Sequence, residues 1–212
     1  MRKVKSMLQV AVVDNGIHGL RDRFVDSVAV SYRFEPITRG WSPRFAEDVV
    51  IVPNGSDHLS LYRARHAIEA VLERGGAVLC FCGCYTPWLP GTHWRHDNTR
   101  PNREVRYQIA RDPLNLMDGV DPHRLSTDSH GINGWWACGE LITVDPQSVV
   151  LVDTWNRAVL VADTRSTPGL IVATASGPLG DGTSDAPDDD GTRRLYRNLM
   201  RVVSHQLESA HV

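Results

Sequence analysis

What this chain lacks narrows its biology first. Its apolar runs are short: the longest of them, such as Ala77 to Cys82, fall far below the roughly 20 residues that a membrane-crossing helix needs. It also lacks charge of one sign. A net charge of -2 gives no electrostatic reason to meet nucleic acid or an acidic membrane surface. The opening MRKVKSMLQVAVVD places positive charge before apolar residues but passes straight to Asp14 without a small-residue cleavage site, so it reads as a strand rather than a signal peptide. No internal repeat is present. These absences point to a soluble cytoplasmic protein with neither a nucleic-acid nor a membrane partner.

Cysteine is scarce as well, with four in 212 residues. Cys80, Cys82 and Cys84 alternate along one segment, which on a strand puts their side chains on one face. Neighbours two apart on a strand are badly placed for a disulfide. C-x-C-x-C is not a usual zinc spacing either, even with Cys138 as a fourth thiol. Reduced thiols are the simpler account, and no metal and no cofactor are expected.

With 42% hydrophobic and 23% charged residues, the chain can bury one full core and reads as a single domain over residues 1–212. Its organising stretch is GGAVLCFCGCYTPWLPG, Gly75 to Gly91. A Gly pair ends a helix, an apolar strand follows from Ala77, and the strand breaks at Gly83 between two cysteines. A sharp turn with a glycine beside it is how a reactive side chain is pushed out at the end of a sheet.

Other elements line up before it. Leu8 to Val13 is a buried parallel strand ending at Asp14 and Asn15, His18 to Val28 is a short helix from its Leu20, Phe24, Val28 spacing, and Ala29 to Ile37 is a more exposed strand towards an edge. Asp48 to Pro53 is a third strand, followed by Asn54, Gly55, Ser56, Asp57 and His58. Leu59 to Glu73 is a helix capped by Ser56 or Asp57 and stopped at Gly75. Strands alternating with helices call for a mostly parallel α/β sheet, in which ligands sit beyond the carboxyl ends of the strands. The floor of a site is therefore Asp14 and Asn15, Asn54 to His58, and Cys82 to Cys84.

From Thr86 to Glu140 the pattern dissolves into scattered prolines, histidines and the tryptophans Trp88, Trp94, Trp135 and Trp136. Residues 86–140 read as an irregular insertion, a lid or side wall over the floor. Order resumes with LITV from Leu141, a hairpin of VVLVD and AVLVAD, a last buried strand from Gly169 to Ala175, and a helix from Thr192 to Leu207 with one broad apolar face.

The element order, GGAVLCFCGC, VPNGSD, HGINGWW and the closing RRLYRNLMRVV helix resemble the class I glutamine amidotransferase-like superfamily, nearest to its trehalose-utilisation (ThuA-like) family. The resemblance implies a flavodoxin-like three-layer sandwich with an elbow residue at Cys82, a nucleophilic cysteine in the glutaminases and commonly a histidine in ThuA-like proteins. One departure counts against glutaminase activity. The glutaminases carry a His-x-Glu pair after the last strand, where this chain has ATASGPLGDG with Asp181 and no histidine.

A cysteine of ordinary pKa is mostly protonated at neutral pH, so Cys82 needs a base or cation nearby. His130, in SHGINGWW, is the first candidate base and His58 the second, with Asp14 or Asp181 to orient either. A helix or loop starting at Gly83 would supply backbone amides to an oxyanion. Asn15, Asn54, Gly55, Asp57, His58, Gly83, Cys84 and Trp135 are the residues expected to line a substrate site. Cys and tryptophan are equally at home in a core. His93 and His96 would suit a metal only on a helix, and Asp185 to Asp190 reads as a solvated loop capping the next helix.

Two functions fit. One is a hydrolase- or transferase-type enzyme acting at the strand ends on a polar small molecule such as a sugar or an amide-bearing metabolite. The other is a catalytically silent ligand-binding or assembly module of the same fold, with a homo-oligomer or a companion protein as its partner.

Overall fold

In the computed structural model, residues 7–81, 83–97, 99–128, 131–132, 135–177, 179–180 and 191–210 are described. The chain runs through β1 (Leu8–Asp14), β2 (Val30–Pro36), β3 (Val49–Val52), α1 (His58–Arg63), α2 (Arg65–Glu73), β4 (Ala77–Phe81) and β5 (Thr92–His96). It continues through β6 (Tyr107–Ile109), the two-residue strands β7 (Thr127–Asp128) and β8 (Gly131–Ile132), β9 (Gly139–Thr143), β10 (Val149–Asp153), β11 (Ala158–Asp163), β12 (Leu170–Thr174) and α3 (Gly191–Ala210). Eight strands form one sheet in the order β2-β1-β3-β4-β12-β11-β10-β6. The five from β2 to β12 are parallel, and β11, β10 and β6 close the other side antiparallel. This is the mostly parallel α/β sheet that the alternating strand and helix signals require.

Apolar runs become the centre of that sheet. Every residue of β3, β4 and β12 is buried, so both faces of these strands are covered, as continuous Val, Ile and Leu runs demand. Edge strand β2 is only half-buried and carries Arg33, which pairs with Glu35 and Glu47. On α3, Leu195, Leu199 and Val203 are fully buried, each contributing about 1.5–3 kcal/mol relative to exposure. Tyr196 of α3 sets its ring against Phe24 and Phe81 and its hydroxyl 2.8 Å from that of Tyr32.

Three expectations are corrected. His18–Val28 forms no helix beyond a single 3-10 turn, Arg21–Arg23. Leu20 and Phe24 are buried but Val28 is fully exposed. Instead of continuing a helix, the Asp26 carboxylate accepts the Tyr32 amide at 2.7 Å, and the Ser27 hydroxyl accepts those of Ala29 and Val30, the competition these side chains offer to helical bonding.

The helix expected over 59–73 is two, α1 and α2, meeting at Ala64, whose carbonyl accepts both Ala67 and Ile68 amides. Asp57 caps the first, its side chain accepting the Leu59 amide.

Residues 86–140 are less irregular than they read. β5 and β9 pair as an antiparallel ribbon, Trp94 opposite Leu141, and β6 joins the main sheet as its last strand. Because His93 and His96 lie on a strand three residues apart, they point to opposite faces and hold no metal together. Among the described residues, no group of three or more His, Cys, Asp or Glu side chains is placed to bind a metal ion. No helix among them is long and apolar enough to cross a membrane.

Candidate functional site

The carboxyl ends of β1, β3 and β4 carry the described part of the expected floor. Asn15 ties two of them together: its Nδ2 donates to the Asn54 carbonyl at 2.7 Å while its Oδ1 accepts the Ile17 amide at 3.1 Å. Asp14 accepts the Gly16 amide at 3.0 Å and pairs with Arg21 at 2.8 Å. It is thus engaged by a guanidinium, not by an imidazole. Asp57 accepts the Leu59 amide and the Ser60 hydroxyl, and the hydroxyl bond first holds its carboxyl below the ordinary carboxylate value.

At the end of β4 the chain turns with Gly83 at a φ of +90°, a region costly for any residue with a Cβ. His58 closes over this turn. A Cβ built on Gly83 would lie 3.3 Å from both Cε1 and Nε2 of the imidazole. The Thr86 hydroxyl donates to the His58 carbonyl at 3.1 Å, and the Trp94 amide donates to the Cys84 carbonyl at 2.9 Å. The elbow is therefore laced to the start of α1 on one side and to β5 on the other.

His58 is half-buried, and its Nδ1 is buried without a hydrogen-bond partner among the described residues. Burial lowers its pKa, outweighing the pull of the Asp57 charge in the other direction. A neutral imidazole at the elbow is the form that can accept a proton. Residues 83–91 contain no helix, so a helix amino end does not reach the elbow from that side.

Not every expected residue faces this floor. Cys84 is fully buried in the core. Trp135 is buried too, its ring tilted against Tyr107 and its carbonyl accepting the Tyr107 hydroxyl at 3.1 Å. Trp88 and Trp94 are likewise core residues. Cys138 is half-buried, and burial pushes its thiol up. Cys82, His130 and Asp181 lie outside the described residues, as does the acidic run Asp185 to Asp190.

Tyr85 is a residue that the sequence pattern does not single out. It stands 52% exposed beside the elbow, edge-on to His58 with ring centroids 4.6 Å apart, and 4.4 Å from the Trp94 ring. Its place two residues beyond Gly83 is the signal that marks it. A sizeable cavity, about 700 Å³, lies elsewhere, at the amino ends of β1 and β2 against α3, among Leu8, Val30, Tyr32, Tyr196 and Met200.

No family model matches the chain, and no curated protein sequence does. Solved structures do. A GMP synthase subunit from Thermoplasma acidophilum is similar at a TM-score of 0.63 and 14% identity, over 98% of this chain and 99% of that one. PurLQS from Thermotoga maritima is similar at 0.61 and 11%, over 92% and 98%. A cytoplasmic protein from Salmonella typhimurium is similar at 0.54 and 11%, again over 92% and 98%. At these identities the likeness speaks for architecture alone, a flavodoxin-like α/β fold built on a mostly parallel central sheet.

Proposed function

We propose that this protein is a small-molecule enzyme of the hydrolase or transferase type, acting on a carbonyl at the carboxyl ends of its parallel strands. The observation that carries this reading is His58 set against the backbone of Gly83, next in sequence to Cys82. The neutral imidazole takes the thiol proton, the sulfur attacks the carbonyl carbon, and the oxyanion meets backbone amides at the elbow. The leaving group recovers the proton from His58, and water releases the acyl group from sulfur. Residues 83–91 form no helix, so in this reading the base, rather than a helix following the elbow, activates the thiol. Among the described histidines, His58 takes the role first expected of His130.

The reading keeps one domain over 1–212, with residues 86–140 as a side wall. The bond from Trp94 to Cys84 supports that placement, and the thiols of Cys84 and Cys138, neither of them in a disulfide, fit a reducing, cytoplasmic setting. ThuA-like affinity remains part of the proposal.

A second reading is a catalytically silent module working beside a companion chain. It draws on the burial of Cys84, Trp88, Trp94 and Trp135 and on the engagement of Asp14 by Arg21, and the fold shared with a GMP synthase component suits it. Iodoacetamide labelling followed by mass spectrometry from pH 5 to 9 separates the two. The enzyme reading expects Cys82 to label first and His58→Ala to slow it. If all four thiols resist until the protein unfolds, the silent reading takes its place.

A further inference from the structure

Among the described residues, the two carboxylates at the mouth of this site are already engaged. Asp14 is held by Arg21 and by the Gly16 amide, and Asp57 by the Leu59 amide and the Ser60 hydroxyl. The Arg21 guanidinium in turn lies over the Phe34 ring, 4.5 Å from its centroid. A cationic substrate would have to compete with these partners for either carboxylate.

Apolar surface is what the mouth leaves open. Ile17 is 46% exposed and packs at Gly55, its Cδ1 lying 2.7 Å from where a Cβ there would stand. Leu59, which follows His58 on α1, is 60% exposed. Tyr85 lies 3.7 Å from the Cβ position of Gly83, and its orientation is fixed. His58 meets it at an interplanar angle of 88°, and the buried Trp94 supports it at 58°. A ring held from two sides yet half open offers a preset apolar surface, and covering it costs little additional rotamer freedom.

We infer that the site takes an uncharged carbonyl compound bearing a flat or ring-shaped apolar group. That group packs on the open part of Tyr85 while the carbonyl lies at His58 and Gly83. The inference rests on the function proposed above for the location of the site and adds the class of substrate.

Benzamide and acetamide are neutral amides that differ in the presence of a ring, and they serve as probes. Each is titrated into the full-length protein while the His58 imidazole resonances are followed by NMR, with wild type, Tyr85→Phe and Tyr85→Ala, the fold of each checked by its thermal transition. Benzamide is expected to shift those resonances with similar affinity in wild type and Tyr85→Phe, and to bind several-fold more tightly than acetamide. Tyr85→Ala is expected to weaken benzamide by about two- to tenfold, the range for one aromatic pair, and to erase the preference.

Equal affinity for the two amides, no binding of benzamide, or an unchanged affinity in a folded Tyr85→Ala overturns the inference. Thiol labelling of wild-type protein keeps the two claims apart. A reactive Cys82 without ring preference removes the substrate class alone, whereas an inert Cys82 with ring preference removes the chemistry and leaves a ring-binding site.

Discussion

The imidazole of His58 and the backbone of Gly83 occupy adjoining space so closely that a single added carbon would press on the ring, 3.3 Å from Cε1 and from Nε2. Gly83→Ala therefore meets two penalties, the +90° φ and that contact. A loss of about 1–3 kcal/mol in urea unfolding is expected, together with displaced His58 resonances. A variant as stable as wild type with an unmoved imidazole would contradict this geometry.

Burial holds His58 below its ordinary value of 6.5. As pH falls through that value, the unfolded chain takes up a proton at this position before the folded protein does. The stability contributed by neutral His58 is thus complete above about pH 6.5 and is lost as pH drops from there towards the folded value. Urea unfolding between pH 5 and 8 should show a steeper decline on the acid side for wild type than for His58→Gln. Parallel curves would assign the acid sensitivity to other groups.

A different prediction comes from the β10–β11 turn. Arg157 binds Asp97 at 2.8 Å and Asp153 at 2.7 Å, and the Asp153 side chain has no solvent exposure. Asp153 also accepts the amides of Trp155 and Arg157. Arg157→Met strands a buried carboxylate and is expected to cost about 3–5 kcal/mol. Asp97→Asn leaves the buried half of the pair intact and should cost a small fraction of that. Equal losses, measured by denaturant titration, would show that burial of Asp153 is not what matters.

Tyr107 supplies the fourth test. Its buried hydroxyl donates to the Trp135 carbonyl at 3.1 Å and accepts the Ala137 amide at 2.8 Å, and burial pushes its ionisation up. Tyr107→Phe keeps the ring and removes both bonds, for an expected loss of about 1–3 kcal/mol. Hydrogen exchange at the Ala137 amide should accelerate in the same variant, and unchanged exchange would argue that the amide finds another acceptor.

The sheet is legible in the sequence because its inner strands are buried on both faces, which forces uninterrupted runs such as VVIV and AVLCF. The β5–β9 ribbon is not legible for the opposite reason. THWRH buries only Thr92 and Trp94 and leaves His93, Arg95 and His96 exposed, too short an alternation to separate from loop. At Leu20, Phe24 and Val28, helical spacing is overruled by the local bonds of Asp26 and Ser27. Nothing local explains the break at Ala64, since alanine is the best helix former.

Asn15, Asn54, His58 and Gly83 lie beyond the carboxyl ends of β1, β3 and β4, a position that follows from the alternating strand and helix pattern. Burial does not follow from topology, however. Cys84, expected to line the substrate site, is packed in the core.

The position of β12 governs how the molecule comes into being. It lies between β4 and β11, although residues 82–169 separate it from β4 in the chain. During synthesis, β4 therefore emerges with one flank bare, and the sheet cannot be completed until residue 174 has left the ribosome. Any chain halted earlier carries an apolar strand with unpaired hydrogen-bonding groups, a template for association with other nascent chains.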